Sequence, residues 1–266
     1  MHDTLSSLID RALRDRPRPL EFYLREQSRL PGPRANLELV NDVSDLLAAR
    51  VSAKPAQVRE LLDYLSADDR EAVASNTPAE FVLLCGMVAW GACAAGRPLW
   101  RTEACALLDQ HANSGYWRVR EGAVLGFQRL VSVAAPDTIN YLTAMAGSGD
   151  YFRQRAAVAA ISEPPLLTTP ENISAALHIQ QIVLEQVHVA PSSERKRDGF
   201  RVLRQALGYT LSVVTAAAPE EGFALMRECA TWDDNDIAWV LRENLKRKRL
   251  AKFSEHTEAL SRLLAR

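Results

Sequence analysis

Trp117-Arg118-Val119-Arg120-Glu121 returns near the end of the chain as Trp239-Val240-Leu241-Arg242-Glu243. Between the two lies Phe152-Arg153-Gln154-Arg155-Ala156, in the same frame: an aromatic, two spacers, an arginine, then a small or acidic residue. Arg201-Val202-Leu203-Arg204-Gln205 fits with arginine in the aromatic position, and Phe81-Val82-Leu83-Leu84-Cys85 fits with leucine in the arginine position. The anchors are 84, 120, 155, 204 and 242, and the steps between them are 36, 35, 49 and 38 residues. A period of about 40 residues is that of two-helix solenoid repeats. The long step holds Pro164 and Pro165, an elbow that accounts for its extra length. One helix pair cannot bury its own apolar face. Stacked pairs can, each supplying a stripe such as Val119, Ala123, Val124 and Phe127 to a shared core.

Outward from these segments the chain reads as helix throughout. Alternating runs of β-branched residues bounded by Asn-Gly turns are absent. The pattern predicts helices over 4–15, 20–29, 35–50, 55–66, 68–75, 78–95, 98–113, 116–133, 137–146, 150–161, 170–189, 194–214, 219–231, 234–250 and 254–265. Thr77-Pro78-Ala79-Glu80 is a capping box with proline in the first helical position. Thr169-Pro170-Glu171 and Ala218-Pro219-Glu220-Glu221 repeat that logic, with carboxylates at the positive end of the helix dipole. Asn113-Ser114-Gly115 and Gly147-Ser148-Gly149-Asp150 are stops. No stretch reads as a flexible linker, so a single domain over 1–266 is expected, with helices over 1–50 preceding the clearest repeats at 78–250. The fold class expected is all-α, a right-handed superhelix of about six helix pairs.

At this point the chain resembles the HEAT-like families, and in particular the HEAT-like DNA glycosylases of alkylation repair. The frame around Trp117, Arg118, Arg120 and Ala123 carries the resemblance, and Asp236-Ile237-Ala238-Trp239-Val240-Leu241-Arg242-Glu243 resembles their closing helix. It spans roughly residues 78 to 250. The resemblance implies a basic, aromatic-lined concave face that clamps duplex DNA. It also implies an aspartate there that stabilises the cationic sugar as a methylated base leaves. In the family layout a tryptophan stands four residues before that aspartate, one repeat ahead of a key arginine. Here that repeat is the apolar stretch 83–95, with Trp90 and no carboxylate. Trp100 is followed at the fourth position by Ala104, beside Glu103. Trp232 and Asp236 have the spacing, but near a helix start, where Asp233, Asp234 and Asp236 suit capping and dipole pairing. No catalytic residue is assigned.

Charge narrows the function classes. The 266 residues carry 32 Lys+Arg against 33 Asp+Glu, which excludes a strongly basic nucleic-acid coat. Residues 191–266 hold 14 basic and 11 acidic residues, and the remainder 18 and 22. By helical spacing Arg197, Arg201 and Arg204 share one face, as do Arg242, Lys246 and Arg249. With Arg118, Arg120, Arg153 and Arg155 they form a candidate ladder along the second helices of the repeats, interleaved with Trp117, Phe152 and Trp239. Such a ladder suits a phosphate backbone or an acidic protein segment. The competing expectation is structural: repeat arginines pair with carboxylates of the neighbouring repeat, and their stems pack between helices.

Enzyme signatures are missing: no G-x-S-x-G, phosphate loop or G-x-G-x-x-G. His2, His111, His178, His188 and His256 are scattered, and no pair has zinc-ligand spacing, so neither metal nor cofactor is expected. Cys85, Cys93, Cys105 and Cys229 include no C-x-x-C and read as buried thiols, hence a cytoplasmic chain. The first residues lack a basic segment followed by an apolar one, so no signal peptide is expected. The sixteen apolar residues 81–96 fall short of a membrane span and read as a buried helix. The function expected is a non-enzymatic binding scaffold for an extended acidic partner, protein or nucleic acid. The alternative is a repair glycosylase or a repair-related DNA binder.

Overall fold

The computed structural model describes residues 2–67 and 74–265. Among them there are fourteen α-helices, four short 3-10 turns and no strand, so the chain is all-α. It divides into two compact units, Met1–Ala134 and Ala135–Arg266. The first holds α1 (His2–Ala12), α2 (Arg18–Glu26), α3 (Leu37–Ala48), α4 (Pro55–Ser66), α5 (Pro78–Gly96), α6 (Arg101–Ala112) and α7 (Trp117–Val131). The second holds α8 (Ala135–Ala146), α9 (Tyr151–Ile161), α10 (Pro170–His188), α11 (Asp198–Ala217), α12 (Pro219–Cys229), α13 (Asn235–Leu245) and α14 (Ser254–Leu263).

The helix starts follow the sequence punctuation. Pro78, Pro170 and Pro219 each open a helix, where a missing N–H has no intrahelical partner to lose. Thr77 Oγ1 accepts from Glu80 N and Thr169 Oγ1 from Asn172 N, both at 3.3 Å. Several expected helices end differently: residues 98–100 form a 3-10 turn before α6, α1 stops at Ala12 and α2 at Glu26. Residues 194–196 form a separate 3-10 turn before α11, and α13 stops at Leu245. The expected helix 68–75 lies outside the described residues except for 74 and 75, which are not helical.

In the first unit α5 is the centre. It is apolar all round, and a helix without a polar face is stable only when enclosed. It packs on α2, α3, α4, α6 and α7, which bury almost all of it. By length and composition alone α5 could cross a membrane, but 94% of its apolar window is buried within the protein. Beside it α7 turns in Val119, Ala123, Val124 and Phe127, the stripe anticipated from the sequence. The two helices run parallel. Glu80 meets the start of α7 at Arg118, Met87 lies against Gly122, and Gly91 lies against Gly126. A Cβ on Gly91 would stand 2.2 Å from the Gly126 carbonyl oxygen, so the backbones approach with no side chain between them.

In the second unit α11 packs against both α9 and α13, while α10 packs against α8 and α12. Here too the alternate helices are parallel: Arg204 reaches Asp236, and the Ser212 N–H donates to Asn244 Oδ1 at 2.7 Å. Asn244, fully buried, also donates Nδ2 to the carbonyls of Leu207 and Val240, both at 2.8 Å. A buried amide with three of its bonds made fixes the register of α11 on α13, because one turn of slip would orphan the two that cross to α11.

Candidate functional site

The predicted ladder separates into buried and exposed members. In the first unit Trp117 opens α7 and stays half exposed, at 47%. Arg118 turns inward and is 6% exposed. Its Nη2 donates to the Gly32 carbonyl at 3.0 Å, and its backbone N–H donates to Glu80 Oε1 at 2.9 Å. Glu80 is 0% exposed, and its other oxygen accepts from Asn76 N at 2.6 Å. Arg120 curls back over the preceding turn, Nη1 to the Ser114 carbonyl at 2.6 Å. Arg118 is therefore not the outward rung the sequence pattern suggested: at the second position of α7 it faces the segment between α2 and α3.

In the second unit Arg155 is buried and Arg153 half-buried, beside the Asp150 cap of α9. The densest electrostatic feature is Arg195. Nη1 donates to Asp234 Oδ1 at 3.0 Å and Asp236 Oδ2 at 2.9 Å. Nη2 donates to Asp234 Oδ2 at 2.8 Å and the His188 carbonyl at 2.9 Å, and Nε to the Ala190 carbonyl at 3.1 Å. Every N–H of the fork has an acceptor. Asp234 is also the N-cap of α13, accepting from Asp236 N at 2.8 Å and Ile237 N at 3.1 Å. Burial pushes its carboxyl up, but the Arg195 guanidinium and these two amides outweigh that and hold it down at about 2. His188 stacks on Trp232 with ring centroids 5.1 Å apart and sets Nδ1 3.3 Å from Asp234 Oδ2.

Arg204 joins this group from α11. Its Nε is 2.8 Å from Asp236 Oδ1, and its guanidinium lies 3.9 Å from the Trp239 ring centroid. Trp239 is thus an inter-helix platform for an arginine of its own unit. Arg204 consequently does not share an exposed face with Arg197 and Arg201. Those two pair on the surface with Glu194 and Asp198, three residues away, as Lys246 does with Glu243. Exposed pairs of this kind are worth at most about 1 kcal/mol and exchange readily. Arg242 donates to the Leu264 carbonyl at 2.8 Å, tying α13 to the end of α14. Since α13 ends at Leu245 and Arg249 sits in the 3-10 turn Lys248–Leu250, the expected single face of Arg242, Lys246 and Arg249 does not form. Asn244 and Arg247 reach back to α11 and stop the helix there.

The sequence reading missed a cluster at the turn from α1 to α2. Arg11, Arg14, Arg16 and Arg18 are all exposed, and none is within ion-pair distance of a carboxylate among the described residues. Arg11, Arg14 and Arg16 line a cleft of about 560 Å³ with Pro19. The signal was the run Arg14-Asp15-Arg16-Pro17-Arg18, hidden because the first 190 residues are net acidic. Two structural causes hold the cluster together: Asp15 takes a left-handed conformation with φ 62°, and proline follows twice. The same unit contains a second cleft, of about 330 Å³, between the 29–38 segment and the start of α7.

No family model matches the chain. No curated protein matches it either. Among solved structures it is similar to an engineered protein, with 14% identity over 89% of this chain and 97% of that one and a TM-score of 0.33.

Proposed function

We propose that this protein is a non-enzymatic helical-repeat scaffold of the HEAT-like kind that binds an extended acidic partner. The repeat architecture is supported by the contact of alternate helices in each unit, α3, α5 and α7 in one and α9, α11 and α13 in the other, with α5 parallel to α7 and α11 parallel to α13. The binding role rests on one observation: the arginines fall into two populations. Arg195 and Arg204 are consumed by ion pairs within their own unit. Arg11, Arg14, Arg16 and Arg18 are solvated, close in sequence, and outside ion-pair distance of any carboxylate among the described residues. Concentrated unneutralised charge at a concave surface attracts an anionic chain and loses that attraction with salt. The glycosylase alternative gains nothing from the carboxylates. Glu80 is spent on two backbone amides, and Asp236 is held between Arg195 and Arg204. Neither is placed to face a developing sugar cation.

The test is a salt titration of binding to two fluorescent probes, a polyglutamate peptide and a DNA duplex carrying an abasic-site analogue. Binding at low salt that weakens steeply as salt rises is expected, with the double variant Arg14→Glu, Arg16→Glu losing about tenfold or more. The tighter probe identifies the partner class. Absence of binding to both at low salt, or an unchanged affinity in the double variant, would refute the proposal.

A further inference from the structure

The cleft between the 29–38 segment and the start of α7 contains a buried cation that pairs with no carboxylate among the described residues. Arg118 lines it and is 6% exposed, yet among the described residues its side-chain acceptors are the Gly32 carbonyl and, at 3.5 Å, Asn76 Oδ1. Both are neutral, and both are taken by Nη2. Nε is buried with no acceptor. No carboxylate lies within ion-pair distance of this guanidinium among the described residues. A buried guanidinium with donors left over costs free energy unless an anion completes it. A second cation waits at the same cleft: Arg34 is exposed and without a partner among the described residues.

The rest of the lining selects the anion. Arg29, Arg34 and Arg118 face Glu38 and Glu121, leaving one net positive charge, and Arg29 already pairs with Glu38 at 2.9 Å. Such a balance suits a monoanion, whose single charge it neutralises. Trp117 and Leu37 are among the few large apolar side chains that stay exposed, at 47% and 40%, and both line the cleft. A volume of about 330 Å³ is at the lower end of small-ligand sites.

We propose that this cleft is a binding subsite for a single carboxylate joined to a flat apolar group. The carboxylate completes Arg118 and Arg34, and the apolar body covers Trp117 and Leu37. This site is separate from the Arg11, Arg14 and Arg16 cluster and does not depend on the scaffold reading. Its ligand is either a free small acid or the terminal carboxylate of a peptide ending in an aromatic residue.

Phenylacetate is the probe, added to the full chain while tryptophan emission is followed. A saturable quench with Kd of about 1 mM is expected for a ligand of this size, with no saturation by acetate or inorganic phosphate. Trp117→Phe removes the signal. Arg34→Ala weakens binding about fivefold, and Glu38→Gln strengthens it by a similar factor. Arg118→Met abolishes it; should that variant fail to fold, the opposite responses of Arg34→Ala and Glu38→Gln still decide. Arg14→Glu, Arg16→Glu leaves the titration unchanged. A second arm compares a hexapeptide of five glycines and a final phenylalanine as free acid and as amide. A free acid binding at least about tenfold tighter than phenylacetate assigns the site to a peptide terminus. Equal or weaker binding assigns it to a small acid. The proposal is overturned by a quench that does not saturate, by one that is the same in Arg34→Ala and Glu38→Gln, by preference for phosphate, or by an amide that binds as well as the acid.

Discussion

Replacing Asp234 by asparagine separates two roles of one side chain. Asparagine caps helices about as well as aspartate, so the cap of α13 is retained, while the bidentate pair with Arg195 loses its charge. The carboxylate is 5% exposed and sits at about 2, against an ordinary value of 3.8. A difference of nearly two units corresponds to about 2 kcal/mol. Because the folded state holds the proton more weakly than the unfolded one, this stability is complete above about pH 4. It is lost as pH falls toward 2, with about half remaining at pH 3. Urea unfolding followed by the emission of Trp232 and Trp239, both in the second unit, measures it directly. Asp234→Asn is expected to lie about 2 kcal/mol below the parent protein at pH 7, with the gap narrowing on acidification. A gap below about 0.5 kcal/mol at pH 7, or one that widens in acid, would refute the argument.

Gly91→Ala would set a methyl 2.2 Å from the Gly126 carbonyl oxygen, whereas Ala at Gly115 meets nothing within 4 Å. The first should cost about 3 kcal/mol or more and the second almost nothing, read from the urea midpoints of the first unit. Arg204→Lys keeps the charge but not the flat stack on Trp239. It should lose about 1 kcal/mol, and a lysine variant as stable as the parent would show that the stack contributes nothing. Burial pushes the Cys93 thiol up to about 12, and burial with the nearby Glu228 does the same for Cys229. A thiol-reactive dye at pH 8 should therefore modify none of the four buried cysteines in minutes, and all four once urea unfolds the chain. Rapid native labelling would contradict the packing around α5 and α12.

The helices were legible because their starts are chemical. Thr77-Pro78 and Thr169-Pro170 cap where the sequence says they do, and the all-apolar 81–96 run could only be an enclosed helix. Two of the misplaced ends, at 194 and 250, have one cause. Arg195 leaves the helical path to reach Asp234, and Asn244 and Arg247 turn back onto α11, so long-range contacts set ends that local propensity would have run through. The site was less legible for the same reason. Spacing on a helical wheel put Arg118 and Arg204 on an outward ladder, because it cannot see the partners that draw them in: a carbonyl at residue 32 and the ring of Trp239. The solvated arginines at 11–18 needed no structure to be seen, only a charge count in smaller windows.

Glu80 has a consequence for how the first unit comes together in time. Its carboxylate accepts one amide just before its own helix, from Asn76, and one at the start of a helix 38 residues later, from Arg118. The first bond is available to a chain that has only α5. The second exists only when α7 has docked, and until then the oxygen must keep its water. Glu80 thus works as a latch whose second half closes late. Its Arg118 contact should be absent from the folding nucleus, so that weakening it hastens unfolding and leaves the folding rate almost untouched.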